Sequence, residues 1–233
     1  MATKTSAVKR ASKLDYASVA FAALPFMGMI SFWQVFDGIV PLMLTNTFNL
    51  DNAATGVVMA LDNIFGLFLL PLFGILSDRC ASKLGRRTPF IMVGSVVAAI
   101  AVPLIAVANN MRSFPLLIAM ILLTLLAICS YRTMTVAVVA DITPRPLRTK
   151  ADSIEKIVGY AGTGVMLVAI TLLVPDVEHP DYLPLFGLQA AFILGSALLY
   201  FWRIREPQLV ERMHEKSLEM GIEEAQIDTD DSP

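Results

Sequence analysis

An apolar run of about twenty residues can sit in hydrocarbon only if its backbone bonds close within the segment, because no water is there to meet a bare N–H. This sequence has six such runs, at 18–45, 54–77, 89–108, 114–140, 154–174 and 183–202. Each supplies the roughly 20 residues that cross about 30 Å of hydrocarbon at 1.5 Å per residue. Composition agrees. The 233-residue chain is 56% hydrophobic and 16% charged, whereas soluble domains carry about 25% charged residues. Mean hydropathy is +0.66. The expected fold is an all-α membrane protein: a six-helix domain over 18–205, preceded by an N-terminal segment (1–17). A polar tail or linker over 206–233 follows, its acidic end expected to be disordered. The first run is long and interrupted by Pro25, Gly28 and Pro41, breaks that neighbouring helices tolerate within a bundle. It is also too long for a signal peptide and ends in no small-residue cleavage site, so a retained helix is expected.

The basic residues fix the expected orientation. With the N-terminus in the cytoplasm, the inner segments collect Lys4, Lys9, Arg10 and Lys13, then Arg79, Lys83, Arg86 and Arg87. Arg145, Arg148 and Lys150 follow, and then Arg203, Arg205, Arg212 and Lys216. That is fifteen of the 18 Lys and Arg residues. The outer segments carry Arg112 alone with Asp51, Asp176, Glu178 and Asp181, a strong positive-inside asymmetry. The expectation is a multi-pass protein of the cell (plasma) membrane with both termini cytoplasmic.

Several classes are disfavoured. The basic residues are spread along the chain, so no nucleic-acid surface is expected. Cys80 and Cys129, one in a loop and one in an apolar run, make no disulfide framework. His179 and His214 both lie outside the runs, and the spans show no Ser/His or paired-Asp constellation and no metal cluster. No phosphate-cradling Gly-Lys-Ser/Thr loop occurs. Neither an enzyme nor an ATP-driven pump is expected, and no cofactor beyond a coupling proton.

The stretch GILSDRCASKLGRRTPF (74–90) sets Asp78, Arg79, Lys83, Arg86 and Arg87 between two apolar runs. Topology alone explains its cations. It does not explain Asp78, because an acid at a helix C-terminus opposes the helix dipole and needs a cationic or helix N-terminal partner. Gly74 suits close helix approach, and Gly85 suits a sharp turn.

Gly-Ile-Leu-Ser-Asp-Arg followed by Gly-Arg-Arg resembles the loop between helices 2 and 3 of the major facilitator superfamily. The longer form Lys83-Leu84-Gly85-Arg86-Arg87-Thr88-Pro89-Phe90 is similar to the Arg-x-Gly-Arg-Arg-x-Pro-Phe loop of plant sucrose carriers and their relatives, with Lys for the first Arg. VVADITPRPLRTKADSI (138–154) resembles the end of helix 4 and its loop in the same sugar:cation symporter group, and ALDNIFGLFLLPLFG (60–74) its second helix. The resemblance implies one half of a major facilitator bundle and proton-coupled symport of a sugar or glycoside by alternating access. The complete fold has two six-helix halves around a midplane site, of which this chain matches the first. The second half is then another six-helix chain, a second copy in a homodimer, or absent. In the family the 74–90 loop helps close the cytoplasmic side against that other half. The alternative is a non-transporting six-helix membrane fragment or an assembly or regulatory subunit.

Ionisable groups inside spans are the candidates for substrate and proton handling, since each charge costs at least roughly 2.5–3.5 kcal/mol in hydrocarbon unless paired or hydrated. Trp33, Gln34 and Asp37 share a helical face: an aromatic ring to stack on a sugar, with an amide and a carboxylate for its hydroxyls. The plainer reading makes Trp33 an interface-belt residue and Asp37 a hydrated acid. Asp62, beside Asn63, has the chemistry of a coupling carboxylate or of a structural hydrogen-bonded acid. The cation-site acids of melibiose-type symporters fall on Gly66 and Leu70, which argues against their sodium site. Arg132 needs a partner, with Asp62, Asp141 and Glu155 available; it serves either a sugar and proton pathway or helix packing. The arginine of plant sucrose carriers on this helix falls on Val136. Asp141, Arg148 and Glu155, with Arg145, Asp152 and Lys156, form an expected inner charged belt. Gly159, Gly162 and Gly164 suit close packing.

Overall fold

The computed structural model describes residues 14–175, 177 and 180–220. The expected basic segment Lys4–Lys13, the outer acids Asp176 and Glu178, His179 and the acidic end 221–233 lie outside the described residues.

Proline decides how the first run folds. Asp15 caps α1 (Tyr16–Ala22), its carboxylate accepting from Ser18 N–H. Pro25, which has no N–H to donate, then opens α2 (Leu24–Leu42), and Pro41 precedes a π-helical turn, Met43–Thr47. The second run bends at Ala60, between α3 (Asn52–Met59) and α4 (Leu61–Asp78). The bend is gentle, because Ile64 N–H still reaches the Ala60 carbonyl at 3.2 Å. Then come α5 (Thr88–Asn110) and α6 (Phe114–Asp141), and a 3-10 turn (Arg145–Leu147) leads into α7 (Arg148–Leu173). The last two helices are α8 (Leu183–Arg203) and α9 (Glu206–Glu219). Six helical segments, Leu24–Thr47, Asn52–Asp78, Thr88–Asn110, Phe114–Asp141, Arg145–Leu173 and Leu183–Arg203, are long and apolar enough to span a bilayer. The unbroken α6, with 28 residues, is about 42 Å long at 1.5 Å per residue. It therefore overshoots the hydrocarbon and carries Asp141 to the membrane edge.

The spans pack in the order α4, α6, α5, α8, α2, α7, each against the next. Phe32, Phe36, Tyr131, Phe186 and Tyr200 are fully buried in the core. Small residues set the close approaches. A Cβ at Gly28 of α2 would collide with Ser196 of α8, one at Gly94 of α5 with Tyr131 of α6, and those at Gly159 and Gly162 of α7 with Phe26 and Met27 of α2. Beside Gly28, buried Gln189 of α8 donates to the Gly28 carbonyl at 3.2 Å and to Ser31 Oγ at 3.1 Å. This polar bond crosses between buried faces of two helices, where it is not exchanged for water. Gly74 and Gly164 do not fit this account: a Cβ at either would meet open space.

Two spans are left largely uncovered. Only 6% of the most apolar window of Asn52–Asp78 is buried, and 22% of that of Arg145–Leu173. The tail begins as a packed helix. Glu206–Glu219 is an amphipathic helix with Glu206, Met213 and Ser217 buried, and Leu209 packs against the core.

Alternation of six spans puts the 79–87 loop, the 142–147 segment and the α8–α9 junction on one side, here called the basic face. The 48–51, 111–113 and 174–182 connections lie on the opposite side. There Asn110 of α5 donates to Asp181 at 2.8 Å, and Asp181 also accepts from Leu183 N–H at 3.0 Å. Both bonds, Asn110 first, hold the Asp181 carboxyl below its ordinary value.

Candidate functional site

Two constellations emerge. The first lies within the membrane, on α6 and the two spans packed against it, α2 and α4. Trp33, Gln34 and Asp37 lie on the less buried side of α2, opposite Phe32, Val35 and Phe36 in the core. Asp62 falls in the first turn of α4, just past the Ala60 bend, where an acid favours the helix. Its Oδ1 accepts from both the backbone N–H (2.6 Å) and the side-chain amide (2.8 Å) of Asn63. Asp37 and Asp62 are near enough to act on one another electrostatically, and Asp62 and Arg132 both act on Cys129. The Arg132 guanidinium lies 5.2 Å from the centre of the Trp33 ring, a cation–π arrangement. Trp33 also stands edge-on to Phe32 and Phe36, which fix its plane. Residues from three distant stretches of sequence therefore come within reach of one another on one intramembrane face, here called the groove.

This geometry corrects the expected partners of Arg132. Among the described residues it makes no ion pair with Asp62, Asp141 or Glu155, and the π face of Trp33 is its neighbour instead. The groove is one-sided, since α4 and α7 have little covering them.

The second constellation is on the basic face, and its central residue, Glu206, carried no role in the sequence reading. Glu206 is 3% exposed. Its carboxylate accepts from the backbone N–H of Arg86 (2.8 Å), Arg87 (3.0 Å) and Thr88 (2.8 Å), and from the Thr88 hydroxyl at 2.7 Å. Thr88 Oγ1 in turn meets Tyr200 Oη at 2.8 Å. The first residue of α9 thus satisfies the unpaired donors at the start of α5, with an anion at the positive end of its dipole. Gly85 makes this possible. Its φ is +111°, and a Cβ there would collide with the Glu206 carboxylate. The available signal was a charged residue directly after an apolar span, but its partner lies 118 to 120 residues away.

Arg87 ties the same loop to two other helices. Its Nε donates to Asp141 at 3.0 Å, and its Nη1 meets Asp78 at 2.6 Å and Ser77 Oγ at 3.1 Å. Burial opposes its charge, but Asp141 and then Asp78 outweigh that and raise the guanidinium above its ordinary value. Asp78 therefore finds its cation within its own loop. Arg79 and Lys83 remain exposed.

The residues of the expected inner belt make different contacts. Asp141 belongs to the Arg87 bridge, and Arg148 Nε donates to the Thr143 carbonyl at 3.3 Å. Asp152 pairs with Lys156 at 3.1 Å, and the Lys156 ammonium lies 5.0 Å over the Phe26 ring. Glu155 instead turns inward, 1% exposed, and its Oε1 has no hydrogen-bond partner.

Six membrane-spanning helices, with ionisable groups concentrated in one intramembrane groove and towards the helix ends, define a polytopic helical membrane protein. The family model described as Major Facilitator Superfamily matches residues 20–225, and the chain belongs to that superfamily. Among characterised proteins it is similar to Sucrose transport protein SUT3 of Oryza sativa subsp. indica, 38% identical over 64 residues. That match covers 28% of this chain and 13% of the relative. Sucrose transport protein SUC3 of Arabidopsis thaliana is 44% identical over 59 residues, 25% of this chain and 10% of the relative. Sucrose transport protein SUT1 of Oryza sativa subsp. japonica is 32% identical over 93 residues, 38% of this chain and 17% of the relative. The chain thus matches only 10–17% of the length of these relatives. No solved structure matches the chain.

Proposed function

We propose that this chain is a six-helix unit of a secondary active sugar transporter, coupling the movement of a sugar or glycoside to that of a proton by alternating access. The observation that carries this reading is the convergence of Trp33, Asp37, Asp62 and Arg132, from α2, α4 and α6, in one intramembrane groove. Ionisable groups are costly there and mark substrate or ion pathways. An aromatic face backed by an amide and carboxylates suits a polyhydroxylated ligand. The likeness to sucrose transport proteins supports the substrate class.

In this reading Trp33 stacks on the sugar, Gln34 and Asp37 bond its hydroxyls, and Asp62 carries the coupling proton. Arg132, held against Trp33, responds to the charge of Asp62. The basic face is cytoplasmic, in keeping with its excess of cations. Its Arg87–Asp78–Asp141 bridge and Glu206 clamp brace the inner gate. The one-sided groove is completed by a second six-helix unit against α4 and α7, whether a second copy or a different chain.

Uptake of labelled disaccharide into proteoliposomes under an imposed proton gradient tests the reading. Gradient-driven uptake by the chain with a six-helix partner is the expected result, and no uptake in any pairing overturns it. The Asp62→Asn variant is expected to lose gradient-driven uptake while retaining sugar exchange. Wild-type pH dependence in that variant would move the coupling role elsewhere.

A further inference from the structure

On the basic face, where α1, the end of α8 and the start of α9 meet, there is a cavity of about 610 Å³ that the transport groove does not use. Arg203, Arg205 and Arg212 line it. Among the described residues none of the three is ion-paired with a carboxylate. The one acid among the described wall residues, Asp15, is engaged by the N–H and hydroxyl of Ser18. Among the described residues that line the cavity, three cations face one acid, an excess of two positive charges. Arg203 is held in place by lying 5.6 Å over the Phe21 ring.

The setting distinguishes this cavity from a site for a dissolved anion. Trp202 in its wall is 83% exposed, and a tryptophan so placed at the end of a span belongs at the membrane interface. Below it, Leu198, Gly195, Ala191 and Leu188 continue along the same face of α8 at helical spacing, and both leucines are exposed. An apolar track therefore runs from the cationic cavity into the hydrocarbon, suited to acyl chains attached to whatever the arginines hold.

We infer that this cavity binds the phosphate headgroup of an anionic phospholipid, its acyl chains lying along Leu188–Trp202 of α8. Such a lipid would join α1 to α9, the helix whose first residue clamps the 85–88 turn. Basic cavities beside spans are sites of this kind. The inference needs only the bilayer placement of α8, and not the sugar or proton reading.

The test is native mass spectrometry of the full chain in detergent, with phosphatidylglycerol and phosphatidylcholine competing. Phosphatidylglycerol is expected to be retained preferentially, and its binding to weaken by about fivefold for each arginine neutralised among Arg203→Gln, Arg205→Gln and Arg212→Gln. Arg112→Gln, on the opposite face, controls for overall charge and is expected to leave the preference intact. Excess inorganic phosphate is expected not to displace the lipid. Equal retention of the two lipids overturns the inference, as does undiminished phosphatidylglycerol binding in the triple variant. Displacement by inorganic phosphate would assign the cavity to a free anion instead.

Discussion

Glu206 shows how much one side chain can hold when it replaces bonds that a helix cannot make for itself. The first N–H groups of α5 have no acceptors in their own helix, and one carboxylate takes three consecutive backbone donors and a hydroxyl. Removing it leaves these donors partly shielded from water, and an unsatisfied buried donor costs about 1–3 kcal/mol. Some water would re-enter at this face, so Glu206→Ala is expected to destabilise the protein by about 3 kcal/mol in all. Glu206→Gln, which keeps one acceptor oxygen but no charge, is expected to lose less. Thermal unfolding, followed by reaction of buried Cys129 with a thiol dye in a Cys80→Ser background, measures both. An unchanged midpoint in Glu206→Ala would remove the clamp from the account. The sequence marks Asp78 and Gly85 readily, because both stand out inside an apolar chain. It does not mark Glu206 as their neighbour, because nothing local distinguishes it from the other acids of a polar tail.

At the scale of helices, ends matter more than middles. On the face opposite the clamp, Asp181 joins Asn110 at the end of α5 to Leu183 at the start of α8. Its carboxyl lies below the ordinary value of 3.8. A carboxylate lowered on folding stabilises the fold above its unfolded value, and that contribution disappears as pH falls through the lower folded value. Wild-type protein is therefore expected to exceed Asp181→Asn in stability at neutral pH, with the difference closing below about pH 3.8. Thermal midpoints of the two proteins across pH check this, and a difference independent of pH would contradict it. Asp15, lowered chiefly by the Ser18 hydroxyl despite some burial, contributes in the same sense at α1. Hydropathy located α5, α6 and α8 to within two residues at each end, because their apolar stretches coincide with their helices. It placed the start of the fifth span at 154, whereas α7 begins at Arg148. The polar turn RTKADS is helical by amphipathic packing and not by hydrophobicity.

At the scale of the whole molecule, the uneven covering of the spans is the dominant fact. Leu67, Phe68, Ile75 and Leu76 of α4, and Ile157, Tyr160 and Val168 of α7, are exposed on the two spans that flank the groove. Lipid can cover apolar side chains, but it cannot pair with Asp37, Asp62 and Arg132 beside them. Active preparations are therefore expected to contain an assembly heavier than one 25.4 kDa chain. Light scattering on detergent-solubilised fractions that regain uptake on reconstitution checks this. Activity confined to the single-chain fraction would show that one chain suffices.

The sequence by itself determined the number of spans and the residues that cannot rest in lipid, because hydrocarbon penalises each polar group whatever its neighbours are. It also carried the family, through loop residues that lie close together in the chain. Only the tertiary structure decided pairings and burial: that Arg132 meets Trp33 and not an acid, that Glu155 is buried, and that Asp78 reaches Arg87. It also decided that the polar tail opens as a packed helix and holds the 85–88 turn. Partner choice depends on distances between helices, and these are set by packing at small residues such as Gly28, Gly94 and Gly159. Spacing along one chain does not contain that information.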